Sequence, residues 1–172
     1  HLSIRRQRQM CIRDRSIELP ENYKKLGKFD IIINLAYPKR SSPVQDRKRN
    51  NQIAEMMKHF AQSDTRIVHI STQAVFGYEL EVPAIPYKVK NRLDFAYITS
   101  KIYLENLLID IFKKQEFHIV RLGNVWGPAS ALWTANLINR ILFGDVVGIQ
   151  GKDGYSNTTD IENICSYIGH LI

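Results

Sequence analysis

Runs of apolar residues alternate with amphipathic stretches from residue 16 to the end of the chain, the pattern of β-α-β units around a parallel sheet. Residues 30–36 (DIIINLA) read as a buried strand, because Ile31, Ile32 and Ile33 are contiguous and β-branched. Over residues 43–60 the period changes. Ile53, Met56, Met57 and Phe60 fall at i, i+3, i+4 and i+7 while Arg47, Lys48 and Arg49 solvate the start, which predicts an amphipathic helix. Residues 66–72 (RIVHIST) predict a second strand, and Pro83 and Pro86 mark a connection running to about residue 93. Connections that long in α/β domains are usually functional.

Residues 96–114 read as a long helix buried on most sides, with Leu104, Leu107, Leu108 and Ile111 at helical spacing and Ile102, Ile109 and Phe112 widening the apolar face. A third strand is predicted over 117–122, a further helix over 132–143, a short strand over 146–150 and a last amphipathic helix from 160 onward. The chain has no internal repeat or low-complexity tract. A Gly-x-Gly-x-x-Gly turn, where a backbone meets a dinucleotide's pyrophosphate, is not found ahead of the first predicted strand. A dinucleotide-binding reading therefore expects a chain that begins partway into its domain.

At 172 residues and 44% hydrophobic content, the chain has enough material for one core and fits one domain better than two. It contains no apolar run of the roughly 18 residues that a membrane span needs, and no secretory signal, so the expectation is a soluble, cytoplasmic protein with no membrane partner. Cys11 and Cys165 lie far apart with no Cys/His grouping, which proposes neither a disulfide framework nor a metal site. The net charge of +7 is concentrated at the start: five arginines against Asp14 give residues 1–15 a balance of +4, leaving +3 for the rest. That opening shows no clean period and is read as a non-native or disordered basic segment, with residues 16–172 as the folded part. A native arm for RNA or acidic lipid is the rival reading, and it predicts steeply salt-dependent binding that disappears on deletion.

Two stretches carry the chemistry. Tyr97 and Lys101 are four residues apart at the start of a predicted helix, so phenol and ammonium share a face. A nearby cation stabilises a phenolate, which suits such a pair to exchanging a proton with an alcohol or carbonyl while a hydride moves to or from a nicotinamide. Taken singly, Tyr-x-x-x-Lys is more often a plain surface pair. The other stretch, VHISTQAVFG over 68–77, is a strand ending in adjacent hydroxyls. Ligands bind at such strand ends, where a hydroxyl can polarise a substrate oxygen or simply cap the turn. His69 and His118 read as packed strand residues, His59 and His170 as helix-surface residues; Trp126 and Trp133 are given no role.

In order and separation these motifs resemble the extended short-chain dehydrogenase/reductase superfamily. Thr72 precedes Tyr97 by 25 residues. Residues 30–36 are similar to that family's Asp-x-x-x-x-x-Ala strand, RLGNVWGP over 121–128 to its Arg-x-x-Asn-x-Tyr-Gly-Pro, and residues 158–161 to its Val-Asp-Asp-Val; Ser100 and Glu105 agree as well. The likeness covers residues 29–172. It implies a Rossmann-like, doubly wound parallel α/β sheet with the glycine-rich N-terminal unit missing and the C-terminal substrate region incomplete. It also implies NAD or NADP as cofactor, a sugar or nucleotide sugar as substrate, no nucleic acid, and a homodimer paired through the helices at 44–60 and 96–114.

Carried over by position, the resemblance makes Tyr97 the acid/base, Lys101 the residue that holds the nicotinamide ribose and tunes the tyrosine, and Thr72 the hydroxyl on the reacting oxygen. Leu35, Ala36, Ser71, Leu122 and Gly123 join Tyr97 and Lys101 as the cofactor contacts, with ordinary packing the alternative for Leu35, Leu122 and Gly123. Thr72, Gln73 and Asn124 face the substrate. Gln73 and Ala74 stand where sugar 4,6-dehydratases carry Asp-Glu, which disfavours a dehydratase. The absence of arginine from residues 152–159 puts a UDP- or dTDP-sugar in doubt. Hydride transfer by an epimerase or ketoreductase is the leading reading, and a non-catalytic cofactor-binding or scaffold protein the alternative.

Overall fold

The computed structural model describes residues 24, 26–36, 42–76, 96–128, 130, 135–144 and 158–172. Three parallel strands, β1 (Ile31–Asn34), β2 (Arg66–Thr72) and β3 (Phe117–Leu122), form a sheet in the order β1-β2-β3. Helix α1 (Pro43–Phe60) connects the first two, and α2 (Ala96–Phe112) precedes the third. The α1 boundaries follow from local chemistry. Ser42 caps the N-terminus by accepting the Gln45 amide at 3.3 Å, and Pro43 occupies the first turn, where its missing N–H costs nothing.

Both helices pack on one face of the sheet. Ile53, Ala54 and Met57 of α1 meet Leu104, Leu108 and Phe112 of α2 over Ile67 of β2, with Ile32 packed against the cluster. Of the apolar helix positions read from the sequence, Ile53, Met57, Leu104, Leu108 and Phe112 form this cluster, and Leu107 and Ile111 pack against it. Two polar residues share the buried stripe of α1: Asp46 and Asn50. Thr65 locks the approach to β2, donating to the Phe29 carbonyl at 2.7 Å and accepting the Gln62 amide at 2.8 Å.

The first strand departs from the reading of a buried element. Ile32 faces the core, whereas Ile31 and Ile33 are 41% and 38% exposed. Strand alternation sends them to the opposite face, and β1 lies at the edge of the described sheet. In central β2, Ile67, Val68 and His69 are all buried, so both faces are covered.

A second, two-stranded parallel sheet pairs β4 (Asn124–Trp126) with β5 (Thr158–Asp160). Neither strand was anticipated, because three residues are too few to show a period. Helix α3 (Asn136–Leu142) falls within the predicted 132–143, of which 132–134 lie outside the described residues. Helix α4 (Ile161–Leu171) starts one residue later than expected because Asp160 is its cap, accepting the Glu162 amide at 2.7 Å. The predicted connection up to residue 93, the strand at 146–150 and the opening at 1–15 lie outside the described residues. Among those described, no helix is long and apolar enough to cross a membrane, and no group of three or more side chains could hold a metal ion.

Candidate active site

The sheet register brings the candidate residues to one end of the sheet. Asn34 stands opposite His69, Ser71 opposite Arg121 and Thr72 opposite Leu122, so the C-terminal strand ends, where α/β sheets receive ligands, lie side by side. Thr72 ends β2 and leads into a 3-10 helix (Gln73–Phe76). Its Oγ1 accepts the Ala74 amide at 3.2 Å, which caps the turn and still leaves the hydroxyl proton to donate. Turn cap and oxygen donor are therefore compatible roles for one side chain. The adjacent Ser71 hydroxyl is buried with no hydrogen-bond partner among the described residues.

Helix α2 packs across β2 and the 3-10 helix. Tyr97 lies half-buried in its first turn. Lys101, one turn later, is only 6% exposed, and its Nζ donates to the Ile70 carbonyl at 3.3 Å. Burial pushes the Lys101 ammonium below its ordinary pKa, and the nearby Glu105 carboxylate works the other way. Glu105 is itself buried and grips Arg121, whose Nη2 donates to Oε2 at 2.8 Å while Nε donates to both oxygens at 3.2 Å.

Leu122 and Gly123 are half-buried where β3 ends, and Asn124 opens β4 just beyond them. Gln73 is half-buried at the start of the 3-10 helix. The Leu35 side chain is exposed, whereas Ala36 is half-buried and packs on the core. Tyr97, Lys101, Thr72, Ser71, Leu122 and Gly123 thus belong to elements meeting at one end of the sheet, and Asn124 belongs to the neighbouring small sheet.

Below this layer is a polar pair that motif reading did not identify. The Ala36 amide donates to Asn34 Oδ1 at 3.0 Å, so the amide nitrogen of Asn34 faces His69 and donates to Nδ1, also at 3.0 Å. His69 is therefore the tautomer protonated on Nε2. Burial first, then the charge of Lys101, pushes its pKa down to about 3, with Arg121 adding and hydrogen bonding to the Asn34 backbone opposing. A neutral imidazole results, as the packed-residue reading of His69 expected. On α1, Asn50 Nδ2 donates to the carbonyl and hydroxyl of Ser100 at 3.0 and 2.9 Å, clamping the turn between Tyr97 and Lys101. The signal for Asn50 was a polar residue at a core-facing helical position, three before Ile53.

A parallel sheet, helices packed on one face and a polar layer at the strand ends define an α/β protein of the Rossmann-like type. A family model described as the NAD dependent epimerase/dehydratase family matches residues 5–156, and the chain belongs to that family. Among solved structures, MoeE5 in complex with UDP-glucose and NAD is similar at TM-score 0.65 and 16% identity, covering 91% of this chain and 56% of that one. A UDP-glucuronic acid 4-epimerase variant from Bacillus cereus, solved with a fluorinated substrate analogue and NAD, gives 0.65 at 22% identity, covering 91% and 54%. A dTDP-glucose 4,6-dehydratase from Bacillus anthracis in complex with NAD gives 0.61 at 18%, covering 83% and 47%. This chain spans about half the length of these proteins. No curated protein matches it.

Proposed function

We propose that the protein is an NAD(P)-dependent oxidoreductase or epimerase that transfers a hydride at a sugar-like alcohol or ketone, with a nucleotide sugar as the favoured substrate class. The observation that carries this reading is the buried Lys101, anchored to Ile70 at a strand end one helical turn from Tyr97. A cation held out of water one helical turn from a phenol is costly for stability alone and suits proton exchange at a substrate oxygen. The solved relatives bound to NAD and nucleotide sugars support the same class.

The residues present fit the ribose and nicotinamide end of a dinucleotide: a buried ammonium and the unpartnered Ser71 hydroxyl lie at the strand ends. When bound, such a cofactor supplies the hydride acceptor and donor. Lys101, whose Nζ donates to the Ile70 carbonyl, would hold the ribose hydroxyls of the bound cofactor. Ala36, Leu122, Gly123 and Leu35 would contact the bound cofactor. In the oxidising direction Tyr97 takes the proton of the substrate hydroxyl as the carbon-bound hydrogen leaves with its electron pair, and in the reducing direction it returns that proton. Thr72 donates its hydroxyl proton to the same oxygen and orients it, and Gln73 and Asn124 face the rest of the substrate. With no carboxylate at Gln73 or Ala74, elimination lacks its acid and base, so epimerisation or reduction is favoured over dehydration.

The test is turnover of nucleotide sugars with NAD and NADP by the full-length protein, compared with Tyr97→Phe. Loss of turnover by about a hundredfold or more with cofactor affinity retained is the expected result. Equal turnover in the variant would remove Tyr97 from the chemistry. Cofactor binding without turnover of any sugar by either protein would favour the scaffold alternative.

A further inference from the structure

We propose that Arg121 is a positioning residue that holds three site-bearing segments in register: the α2 turn carrying Lys101, the end of β2 carrying Thr72, and the end of β3 leading to Asn124. The inference rests on the hydride-transfer reading and adds to it a residue that touches neither substrate nor cofactor.

Arg121 is a charge inside an apolar strand, FHIVRL, with its side chain only 14% exposed. Burying a guanidinium is costly unless it is paired and hydrogen-bonded. Its partner is Glu105, whose side chain is 1% exposed and which lies four residues, one helical turn, beyond Lys101 on α2. Nε and Nη2 together engage both carboxylate oxygens, and a planar fork fixes angle as well as distance between β3 and α2.

The same guanidinium lies over the Phe76 ring at 5.0 Å. Phe76 ends the 3-10 helix that begins directly after Thr72, so this contact ties the catalytic end of β2 to β3 from above. Backbone pairing of Ser71 with Arg121 and of Thr72 with Leu122 completes the link. One side chain therefore reaches all three segments.

Stability is a weak explanation for such a pair, because buried ion pairs add little over apolar residues of similar volume. Geometry is the stronger one. The pair also keeps the Glu105 carboxylate in place beside Lys101, where it offsets the burial penalty on the ammonium.

The experiment compares full-length wild type, Arg121→Lys, the apolar pair replacement Arg121→Met with Glu105→Leu, and Tyr97→Phe, reading kcat, KM, cofactor affinity and thermal midpoint. The replacement is expected to stay folded while kcat falls roughly tenfold to a hundredfold and KM moves by less than about threefold. Arg121→Lys, which keeps the charge without the fork, is expected to restore little of the loss. A folded replacement turning over within about twofold of wild type overturns the inference. Should it fail to fold, Phe76→Leu leaves the ion pair intact and still predicts a lower kcat at unchanged KM, and an unchanged kcat overturns the proposal. An active Tyr97→Phe removes the underlying reading. An inactive Tyr97→Phe beside an unaffected pair replacement sinks this inference alone.

Discussion

His69 is a fully buried titratable side chain, and its chemistry gives a pH signature. Its pKa is about 3 in the fold against an ordinary 6.5, so between those values the unfolded chain binds a proton that the folded chain excludes. Its contribution to stability is complete above pH 6.5 and is lost as the pH falls toward 3, at up to about 1.4 kcal/mol per pH unit. Denaturant midpoints at pH 7 and pH 5 should therefore differ more in the native chain than in His69→Leu, and parallel profiles would show that the imidazole is not the source. The sequence identified His69 as a packed strand residue but could not identify its partner. Asn34 is 35 residues away, and only the pairing of β1 with β2 makes them neighbours.

Between helices, Asn50 is where α1 meets the turn of α2 between Tyr97 and Lys101. Asn50→Ala removes two hydrogen bonds to Ser100 and should lower unfolding free energy by about 1–3 kcal/mol in chemical denaturation. A change within the noise would mean that water replaces the amide. A second junction lies where β4 turns away toward α4. Gly127 has φ of 145°, and a Cβ there would meet the Ile161 side chain at 2.6 Å. Gly127→Ala should cost roughly 1–3 kcal/mol of stability, and Ile161→Ala in the same chain should recover part of it; strict additivity of the two changes would argue against the clash. Helices α1 and α2 were legible from their apolar period, with α2 two residues shorter than read. Strands β4 and β5 were not, since pairing rather than pattern defines a three-residue strand.

Across the molecule, one seam of apolar residues between the sheet and its two helices carries the fold. Leu108 is fully buried and belongs to this seam of α1, α2 and β2 residues, and Leu108→Ala should destabilise by about 2–5 kcal/mol in thermal or urea unfolding. A loss below about 1 kcal/mol would mean that the seam collapses around the gap. The exposure of Ile31 and Ile33 is a different matter, because hydrophobicity alone marks a residue for burial without saying what covers it. Period, β-branching and capping chemistry act over a few residues, so the sequence by itself determined the parallel α/β class, the positions of β2, β3, α1 and α2, and the Tyr97, Lys101 and Thr72 candidates. Long-range register and packing decided the rest: the Arg121–Glu105 fork, the Asn34–His69 and Asn50–Ser100 pairs, and the uncovered face of β1. Each depends on which distant segments lie side by side, and hydrogen-bond geometry and desolvation have meaning only once the chain has brought them together.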